Sequence, residues 1–389
     1  MKRHFAFGVL SISALIVHPA MAQNTPAREP LPQEQLRSFA ATYQMLMSDH
    51  VTALDGPELI RHAIRGMVRA ADPDAGEFYD AEDFKVFREG RRAEEASVGL
   101  EIRSRNGQMV LAPISAAPAW EAGVRLGDVL HVVDGKSVGE LQLHQVTRML
   151  RGPAGSKVSM TVFRESTLTA ETFTIERRPV ASGRTTASRP APGVLMLAVP
   201  RFHEHTVRDT VDLLRQEFQS EAPRAVLLDL RGCPGGLLDI AIAISAMFLP
   251  ENATVLRTTG RLPEANFVYR AGKEFYQRRA GPDPLAGLPP ELKTVPVAVL
   301  VDRGTASGAE IVAAALQDHR RAVVVGRTTY GRGSIQTVRP LNATEGLKVT
   351  TALWVTPNGK PIHAIGVTPD IEADGADAVQ SALRKLLAP

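Results

Sequence analysis

The sequence predicts an α/β protein that carries a small β-rich module and a helical segment ahead of its α/β part. Three changes of hydrophobic pattern along the 389 residues indicate this. Apolar residues recur at helical spacing over residues 23–92, and short alternating runs typical of strands and turns follow over residues 93–179. From residue 180 to 389, near-continuous apolar runs alternate with amphipathic segments, as expected of strands that helices cover on both faces.

The first 22 residues predict an export signal. Lys2 and Arg3 precede an apolar stretch over residues 5–17, and Ala20-Met21-Ala22 forms a small-x-small cleavage site. We expect cleavage rather than retention as an anchor, because about 13 apolar residues are too few to cross a bilayer core that needs about 20. No later stretch is long and apolar enough to span a membrane, so the processed chain is expected to have no stable span.

Composition and charge exclude several classes of protein. The chain is 44% apolar and 22% charged, which is close to the globular average. Its net charge of +3, which falls to +1 once Lys2 and Arg3 are removed, is too small for a nucleic-acid-binding footprint. One cysteine, Cys233, excludes an intramolecular disulfide framework, and no His, Asp or Glu cluster has metal-ligand spacing. We therefore predict no metal and no cofactor.

Two helices are predicted in the helical segment, after a Pro-rich and polar linker over residues 24–35. The first spans residues 36–47, and the second begins at Gly56-Pro57 with proline at its first position. Their apolar stripes are expected to pack into a core. A turn over residues 71–76 and a charged segment over residues 82–92 complete this region.

The β-rich module is predicted to hold five short strands and a helix. A hairpin turn at Asp134-Gly135-Lys136 and a helix over residues 143–150 divide them. The strands are expected at residues 98–102, 109–114, 129–133, 157–163 and 172–175. A linker rich in Ser, Thr, Pro and Ala is expected over residues 181–193.

Buried strands and amphipathic helices alternate in the α/β part. Strands are predicted at residues 194–199, 225–230, 297–301 and 323–325, and helices at residues 207–218, 238–248 and 309–319. In such a layer, sites form where strand ends meet helix starts.

The first such junction is the segment from Asp229 to Gly236, in which a glycine pair opens a helix. Backbone N–H groups exposed by Gly235 and Gly236, together with the partial positive charge of the helix start, could hold an oxyanion. A plain glycine-rich turn accounts equally well for the same pattern.

The second junction holds the best nucleophile candidate, Ser307, between Ala306 and Gly308 at a helix start. The N–H of Gly308 could serve a developing oxyanion, although capping a helix is the commoner role of a serine there. His319 lies about 18 Å along the same helix and cannot reach Ser307. Cys233 is the alternative nucleophile, but a lone thiol without an adjacent histidine is more often a small buried residue.

Fourteen short motifs, in order and at matching spacing, resemble the carboxy-terminal processing protease (tail-specific protease) family. They are ADP at 71–73, EDF at 82–84, SVGLEI at 97–102, APAWEAGV at 117–124, GDVL at 127–130, DGK at 134–136, LRGP at 150–153, DLR at 229–231, PGG at 234–236, GTASGAE at 304–310, QDH at 317–319, YGRGSIQ at 330–336, TPNG at 356–359 and PDI at 369–371. The resemblance implies a crotonase/Clp-like α/β peptidase core at residues 180–389 and an inserted PDZ domain, a small β-barrel plus helices, at residues 93–179. With the export signal, it implies a location in the bacterial periplasm.

The resemblance also implies the roles of individual residues. Ser307 would be the nucleophile, Gly308 with Gly235 or Gly236 the backbone oxyanion donors, and Gln336 a residue that orients position 332. Val98, Gly99 and Leu100 would bind the C-terminal carboxylate of a protein or peptide substrate. The sequence leaves open whether the chain forms a homo-oligomer and whether it needs an adaptor.

Position 332 departs from the family pattern. The family places its catalytic lysine 25 residues after the serine, where this chain has Arg332. A guanidinium has a pKa above about 12 and no lone pair with which to accept a proton. Three readings follow: an active peptidase with another proton acceptor or a specially tuned Arg332, a pseudoprotease that binds C-termini through its PDZ domain, or another α/β enzyme such as an acyl-CoA enzyme. The PDZ motifs argue against the last.

Overall fold

A computed structural model describes residues 30–89, 96–105, 107–114, 117–179, 183–277 and 281–388. The predicted export signal at residues 1–22 lies outside this part of the chain. None of the helices in the described ranges is long and apolar enough to cross a membrane.

Two helices open the described chain, α1 (Gln33–Asp49) and α2 (Gly56–Ala71). The side chain of Asp55 caps α2 by accepting the N–H of Glu58 at 2.9 Å. The predicted core packing is wrong for α1, which buries no residue. Its Tyr43 and Met47 lie against Gly56 at the start of α2. Strand β1 (Glu77–Tyr79) and helix α3 (Ala81–Glu89) follow.

The β-rich module has the predicted strands and helix, with ends that differ by three residues at most. Its main sheet runs in the order β3-β4-β5-β8-β9, with β6 paired to β5, while β2 and β7 form a separate pair. The strands are β2 (Ala96–Ser97), β3 (Leu100–Arg105), β4 (Gln108–Pro113), β5 (Val129–Val133), β6 (Lys136–Ser137), β7 (Arg151–Gly152), β8 (Lys157–Arg164) and β9 (Thr169–Glu176). Helices α4 (Pro118–Glu121) and α5 (Leu143–Met149) enclose an apolar core with them.

The α/β part contains a six-stranded sheet in the order β10-β11-β12-β15-β16-β19. Its four central strands are the predicted buried runs: β11 (Val194–Ala198), β12 (Ala225–Asp229), β15 (Val297–Val301) and β16 (Ala322–Gly326). They pair in parallel. The linker predicted at residues 181–193 is wrong, because β10 (Thr186–Ala191) pairs antiparallel with β11. Strand β19 (Ile371–Glu372) closes the other edge.

Helices cover both faces of this sheet. Helices α6 (Thr206–Ser220), α7 (Leu238–Phe248) and α9 (Gly308–Asp318) match the predicted helices and share the largest apolar core with the sheet. Helix α10 (Gly375–Leu386) packs on β15 and β16 with a smaller apolar cluster. Short helical turns lie at Pro263–Ala265, Lys273–Tyr276 (α8) and Pro290–Lys293.

A second sheet, which the sequence analysis did not predict, packs beside α9. Its strands are β13 (Thr254–Thr259), β14 (Phe267–Arg270), β17 (Ser334–Pro340) and β18 (Gly346–Val355), and β1 pairs with β18. Residues 77–79 and 346–348 therefore join the chain ahead of the β-rich module to the core that follows it. The module is an insertion between them.

Candidate active site

The two predicted strand–helix junctions lie side by side and are held together by hydrogen bonds. Asp302, which follows β15, accepts the N–H groups of Gly232 and Gly304, each at 2.8 Å. Thr305 donates its hydroxyl to the carbonyl of Leu230 at 2.8 Å, and the N–H of Ala306 donates to the carbonyl of Cys233 at 2.9 Å. Adjacent parallel strands end at the same edge of a sheet, which explains why these distant segments meet.

Gly235, Gly236 and Gly308 converge at this junction. Gly235 has φ +79°, and a Cβ added to it would lie 2.4 Å from the nitrogen of Gly308. Gly236 has φ +147°, and a Cβ there would lie 2.0 Å from the carbonyl oxygen of Phe202. Side chains at either position would therefore be excluded both by backbone conformation and by space. The predicted oxyanion segment lies against the amide of Gly308.

Ser307 occupies the position before the first residue of α9 in a rare backbone conformation. Its φ is +54° and its ψ is −119°, and a non-glycine residue with positive φ is uncommon. Strain of this kind is often found at functional sites, and the sharp turn leaves Ser307 half-buried while its neighbours Ala306 and Gly308 are buried.

Glu310 connects the Ser307 turn to the segment that carries Arg332. One carboxylate oxygen, Oε2, accepts the N–H of Ser307 at 2.7 Å and the N–H of Arg332 at 2.8 Å. The other, Oε1, accepts the N–H of Gly331 at 2.7 Å and the hydroxyl of Thr329. Glu310 is fully buried, and this burial raises the pKa of its carboxyl above the ordinary value, against the effect of these four hydrogen bonds.

The backbone of Arg332 is fixed by hydrogen bonds on both sides. Its carbonyl accepts the indole N–H of Trp354 at 3.1 Å, opposite the bond from its own N–H to Glu310. The guanidinium carbon lies 5.7 Å from the centroid of the Tyr330 ring. Within the described ranges, no hydrogen bond joins this guanidinium to the hydroxyl of Ser307. The amide of Gln336 donates to the hydroxyls of Ser334 at 2.9 Å and Thr350 at 3.4 Å, and in the described part of the chain no hydrogen bond joins it to Arg332.

A second arginine, Arg103 of β3, reaches the same place from the β-rich module. Its Nη2 donates to the carbonyl of Gly304 at 2.9 Å, and its guanidinium carbon lies 4.2 Å from the centroid of the Tyr330 ring. Only 1% of Arg103 is exposed. Burial, followed by the positive charge of Arg332, lowers the pKa of Arg103.

Cys233 is unsuited to nucleophilic attack. It is fully buried, and burial raises the pKa of its thiol to about 12. The sequence-based expectation that it is a small buried residue is confirmed.

The predicted carboxylate-binding residues form a tight loop at the start of β3. Gly99 has φ +71°, and its N–H donates to the hydroxyl of Ser97 at 3.2 Å. Val98 is buried in the module's core, and Leu100 packs against it. In the described chain β3 pairs with β4 alone, and α5 contacts β3. An open strand edge beside a helix is where an extended peptide can add as a further strand.

Comparison with known proteins gives a family match for the α/β part and another for the β-rich module. Residues 193–373 match the model of peptidase family S41, and residues 109–164 match that of a PDZ domain. Over 380 residues, 94% of this chain and 81% of the relative, the chain is 35% identical to a carboxy-terminal-processing protease of Bartonella bacilliformis. It is 28% identical to the carboxy-terminal processing protease CtpA of Bacillus subtilis, over 86% of this chain and 68% of that one.

A solved structure agrees with these relatives. The photosystem II D1 C-terminal processing protease superposes with a TM-score of 0.68 and 25% identity, covering 89% of this chain and 96% of that one. The chain is thus a serine peptidase with the S41 fold and a PDZ domain. It belongs to the carboxy-terminal processing protease family, which confirms the resemblance.

Sequence reasoning missed Glu310 and Arg103 as parts of the site. Glu310 had a local signal, since Ser307-Gly308-Ala309-Glu310 has the spacing of a capping box. Arg103 had none, because the residues that it touches are 201 and 227 positions away in the chain.

Proposed function

We propose that the protein is an exported serine endopeptidase that cleaves protein substrates near their C-termini, with Ser307 as the nucleophile. The observation that supports this best is the turn at Ser307, where a strained, half-buried serine precedes Gly308, against whose amide nitrogen Gly235 packs. Export to the bacterial periplasm is part of the proposal and rests on the pattern of residues 1–22.

In the proposed reaction, the Ser307 hydroxyl loses its proton and attacks the scissile carbonyl. The peptide C–N bond then breaks, and the C-terminal fragment leaves as an amine after its nitrogen gains a proton. Water hydrolyses the resulting acyl-enzyme, which frees Ser307 and the new C-terminus. The N–H of Gly308 and that of Gly235 or Gly236 stabilise the oxyanion, and one good donor of this kind contributes roughly 3–4 kcal/mol. Gly235 and Gly308 are buried, and their backbones are held in place before substrate arrives. No metal takes part in this scheme.

The PDZ domain would hold the substrate's C-terminus while the peptidase core cuts the chain. A peptide added to the open edge of β3 would place its terminal carboxylate at the loop formed by Val98, Gly99 and Leu100. For this carboxylate to bind the N–H of Gly99, it would have to displace the hydroxyl of Ser97, whose bond at 3.2 Å is long.

The proton of the Ser307 hydroxyl needs an acceptor, and the residue at position 332 favours a second candidate function. Arg332 stands where the family has its lysine, and a guanidinium cannot accept a proton at ordinary pH. The second candidate is a pseudoprotease that binds C-termini through its PDZ domain. An active enzyme would need a different proton acceptor or a specially tuned Arg332.

Restoring lysine separates the two candidates. We expect the Arg332→Lys variant to cleave an unstructured peptide with a free C-terminus at least about tenfold faster than the native chain, since a desolvated lysine can act as the base. The measurement is the initial rate, and Ser307→Ala in the same background should abolish it. If the native chain is already as fast as Arg332→Lys, position 332 does not limit catalysis. If the native chain binds the peptide but does not cleave it, the pseudoprotease is the correct function, whether or not the Arg332→Lys variant cleaves.

Binding of the C-terminus is tested separately with the catalytically blocked Ser307→Ala chain. We expect a peptide with a free carboxylate to bind at least about tenfold more tightly than its amidated form, because charge-assisted hydrogen bonds to the loop are lost on amidation. Fluorescence anisotropy of a labelled peptide measures both. Equal affinity for the two peptides would contradict carboxylate recognition at Val98–Leu100.

A further inference from the structure

Strand β3 presents its two faces to different parts of the protein. Ile102 points into the core of the PDZ domain. Because side chains alternate along a strand, Glu101 and Arg103 point the other way, towards the peptidase core. Glu101 pairs with Arg201 there at 2.6 Å, and Arg103 contacts Gly304 and Tyr330. The strand proposed to receive the substrate therefore also contacts the active site.

Arg103 contacts both segments that carry the proposed catalytic positions. Gly304, whose carbonyl it binds, lies three residues before Ser307. Tyr330, on which it stacks, lies two residues before Arg332. The two segments touch each other where the N–H of Tyr330 donates to the carbonyl of Thr305 at 3.0 Å. Arg103 packs against this contact from the PDZ side.

Stability alone does not explain a cation at this position. No carboxylate of the described residues lies within ion-pair distance of Arg103, and its Nε and Nη1 atoms are buried without a hydrogen-bond partner there. Arg332 adds a like charge nearby. Burying an unpaired charge is unfavourable, and an apolar side chain of similar volume usually stabilises a fold as well or better. What the guanidinium provides instead is a planar group that can bond one segment and stack on the other.

We propose that Arg103 is a positioning residue that the PDZ domain supplies to the peptidase site, where it holds the Ser307 turn and the Arg332 segment in one arrangement. This inference rests on the proposed peptidase function. It makes the site composite, because a peptidase core without β3 would lack one support of both segments.

The test uses the full-length chain with Arg103→Met, Arg103→Lys and, as a matched control, Glu101→Gln. The control removes the neighbouring ion pair on the same face of the same strand without touching either segment. Steady-state kinetics gives kcat and KM for an unstructured peptide, in the native and Arg332→Lys backgrounds. Hydrogen exchange of residues 304–308 and 329–333 reports the two segments without any need for turnover.

We expect Arg103→Met to lower kcat by about tenfold with KM changed less than twofold, since small misplacements near a reacting centre lower the rate without weakening distant binding. Exchange should accelerate in both segments. Arg103→Lys should recover part of kcat, because its ammonium can still donate to Gly304 but cannot stack as a plane on Tyr330. Glu101→Gln should change neither kcat nor exchange. If Arg103→Met does not fold, Arg103→Lys and Tyr330→Leu are measured in its place.

Two outcomes would overturn the proposal. Native kcat and native exchange in a folded Arg103→Met chain would mean that the contact has no influence on the site, and a rise in kcat would mean that it restrains the site. If no variant cleaves, including Arg332→Lys alone, the proposed peptidase function is wrong. Hydrogen exchange still tests Arg103 in that case: accelerated exchange in the two segments of Arg103→Met supports its positioning role, and unchanged exchange contradicts it.

Discussion

Glu310 is the residue on which the geometry of the site depends most directly. A single buried carboxylate accepts four donors, two of them the backbone N–H groups of Ser307 and Arg332. The rare backbone conformation of Ser307 persists only if its surroundings impose it. The bond from its N–H to Glu310 is part of that constraint, so Glu310 controls both the direction of the nucleophile and its distance from position 332.

Replacing Glu310 by glutamine tests this role. The amide NH₂ cannot accept a hydrogen bond, so either orientation leaves two of the four donors without an acceptor in a buried place. We expect kcat to fall by at least about tenfold and the unfolding free energy to fall by about 2–4 kcal/mol. Peptide kinetics and chemical denaturation of the full chain measure the two effects.

The control for Glu310→Gln is Glu264→Gln, which makes the same chemical change at an exposed residue. It should alter neither quantity. Native kcat in a folded Glu310→Gln chain would contradict the role given to Glu310, whereas loss of kcat without loss of stability would place its effect on the site alone.

Among the elements, the parallel strands and their helices could be predicted closely. The runs that became β11, β12, β15 and β16 are almost wholly apolar, and a strand buried on both faces leaves that signature in a few residues. Helix α7 begins and ends at the predicted residues, since its burial on nearly every side demands an unbroken apolar sequence. In these elements the local pattern and the tertiary environment agree.

Elements whose environment is set by distant partners could not be predicted. The second sheet was missed because β17 is half-buried and mixes polar with apolar residues. Its sequence therefore contains no local pattern that indicates its pairing with β18. The stripe of α1 has helical spacing, yet the described chain has no element that covers it. Within the site, motif spacing led to Ser307 and the glycines, whereas the contacts of Arg103 arise from packing between domains.

At the scale of the whole molecule, the N-terminal segment, the PDZ domain and the peptidase core meet at one charged cluster, formed by Glu77, Asp83, His144 and Lys348. One carboxylate oxygen of Glu77, in β1, accepts the backbone N–H of His144 at 2.8 Å. The other accepts the ammonium of Lys348 at 3.0 Å. The Nε2 of His144 lies 2.7 Å from a carboxylate oxygen of Asp83. His144 is on α5, and Lys348 is on β18, so this cluster ties the PDZ helix to the core sheet.

The charges of this cluster depend on pH in opposite directions. Burial alone would raise the pKa of Glu77, but His144 and Lys348 outweigh it and lower the pKa to about 2. Burial alone would lower the pKa of His144, but Asp83 and Glu77 outweigh it and raise the pKa. Arg148, 2.9 Å from Asp83, adds a fixed positive charge, and the neighbouring Tyr79 stays neutral because burial and Glu77 raise its pKa.

These shifts predict how the stability of the molecule changes with pH. A raised histidine pKa contributes stability that is complete below about 6.5 and is lost as the pH rises through the folded-state value. The lowered pKa of Glu77 contributes stability that is complete above about 4.5 and is lost as the pH falls towards about 2. The contribution of the cluster to the unfolding free energy is therefore largest between about pH 4.5 and 6.5.

Substituting His144 should remove the loss of stability that the native chain shows as the pH rises. At pH 6 we expect His144→Gln to lower the unfolding free energy by about 1–3 kcal/mol, because Asp83 and Glu77 lose a buried cationic partner. Between pH 6 and 9 the native chain should lose thermal stability as His144 deprotonates, so the two melting curves should converge. Circular dichroism melts at half-unit steps measure this, with His131→Gln, an exposed histidine of the same domain, as the control that keeps the native profile. If the thermal stability of the His144→Gln chain falls with pH as steeply as that of the native chain, another group is responsible for the pH dependence. In that case, a protonated His144 does not link the PDZ helix to the core.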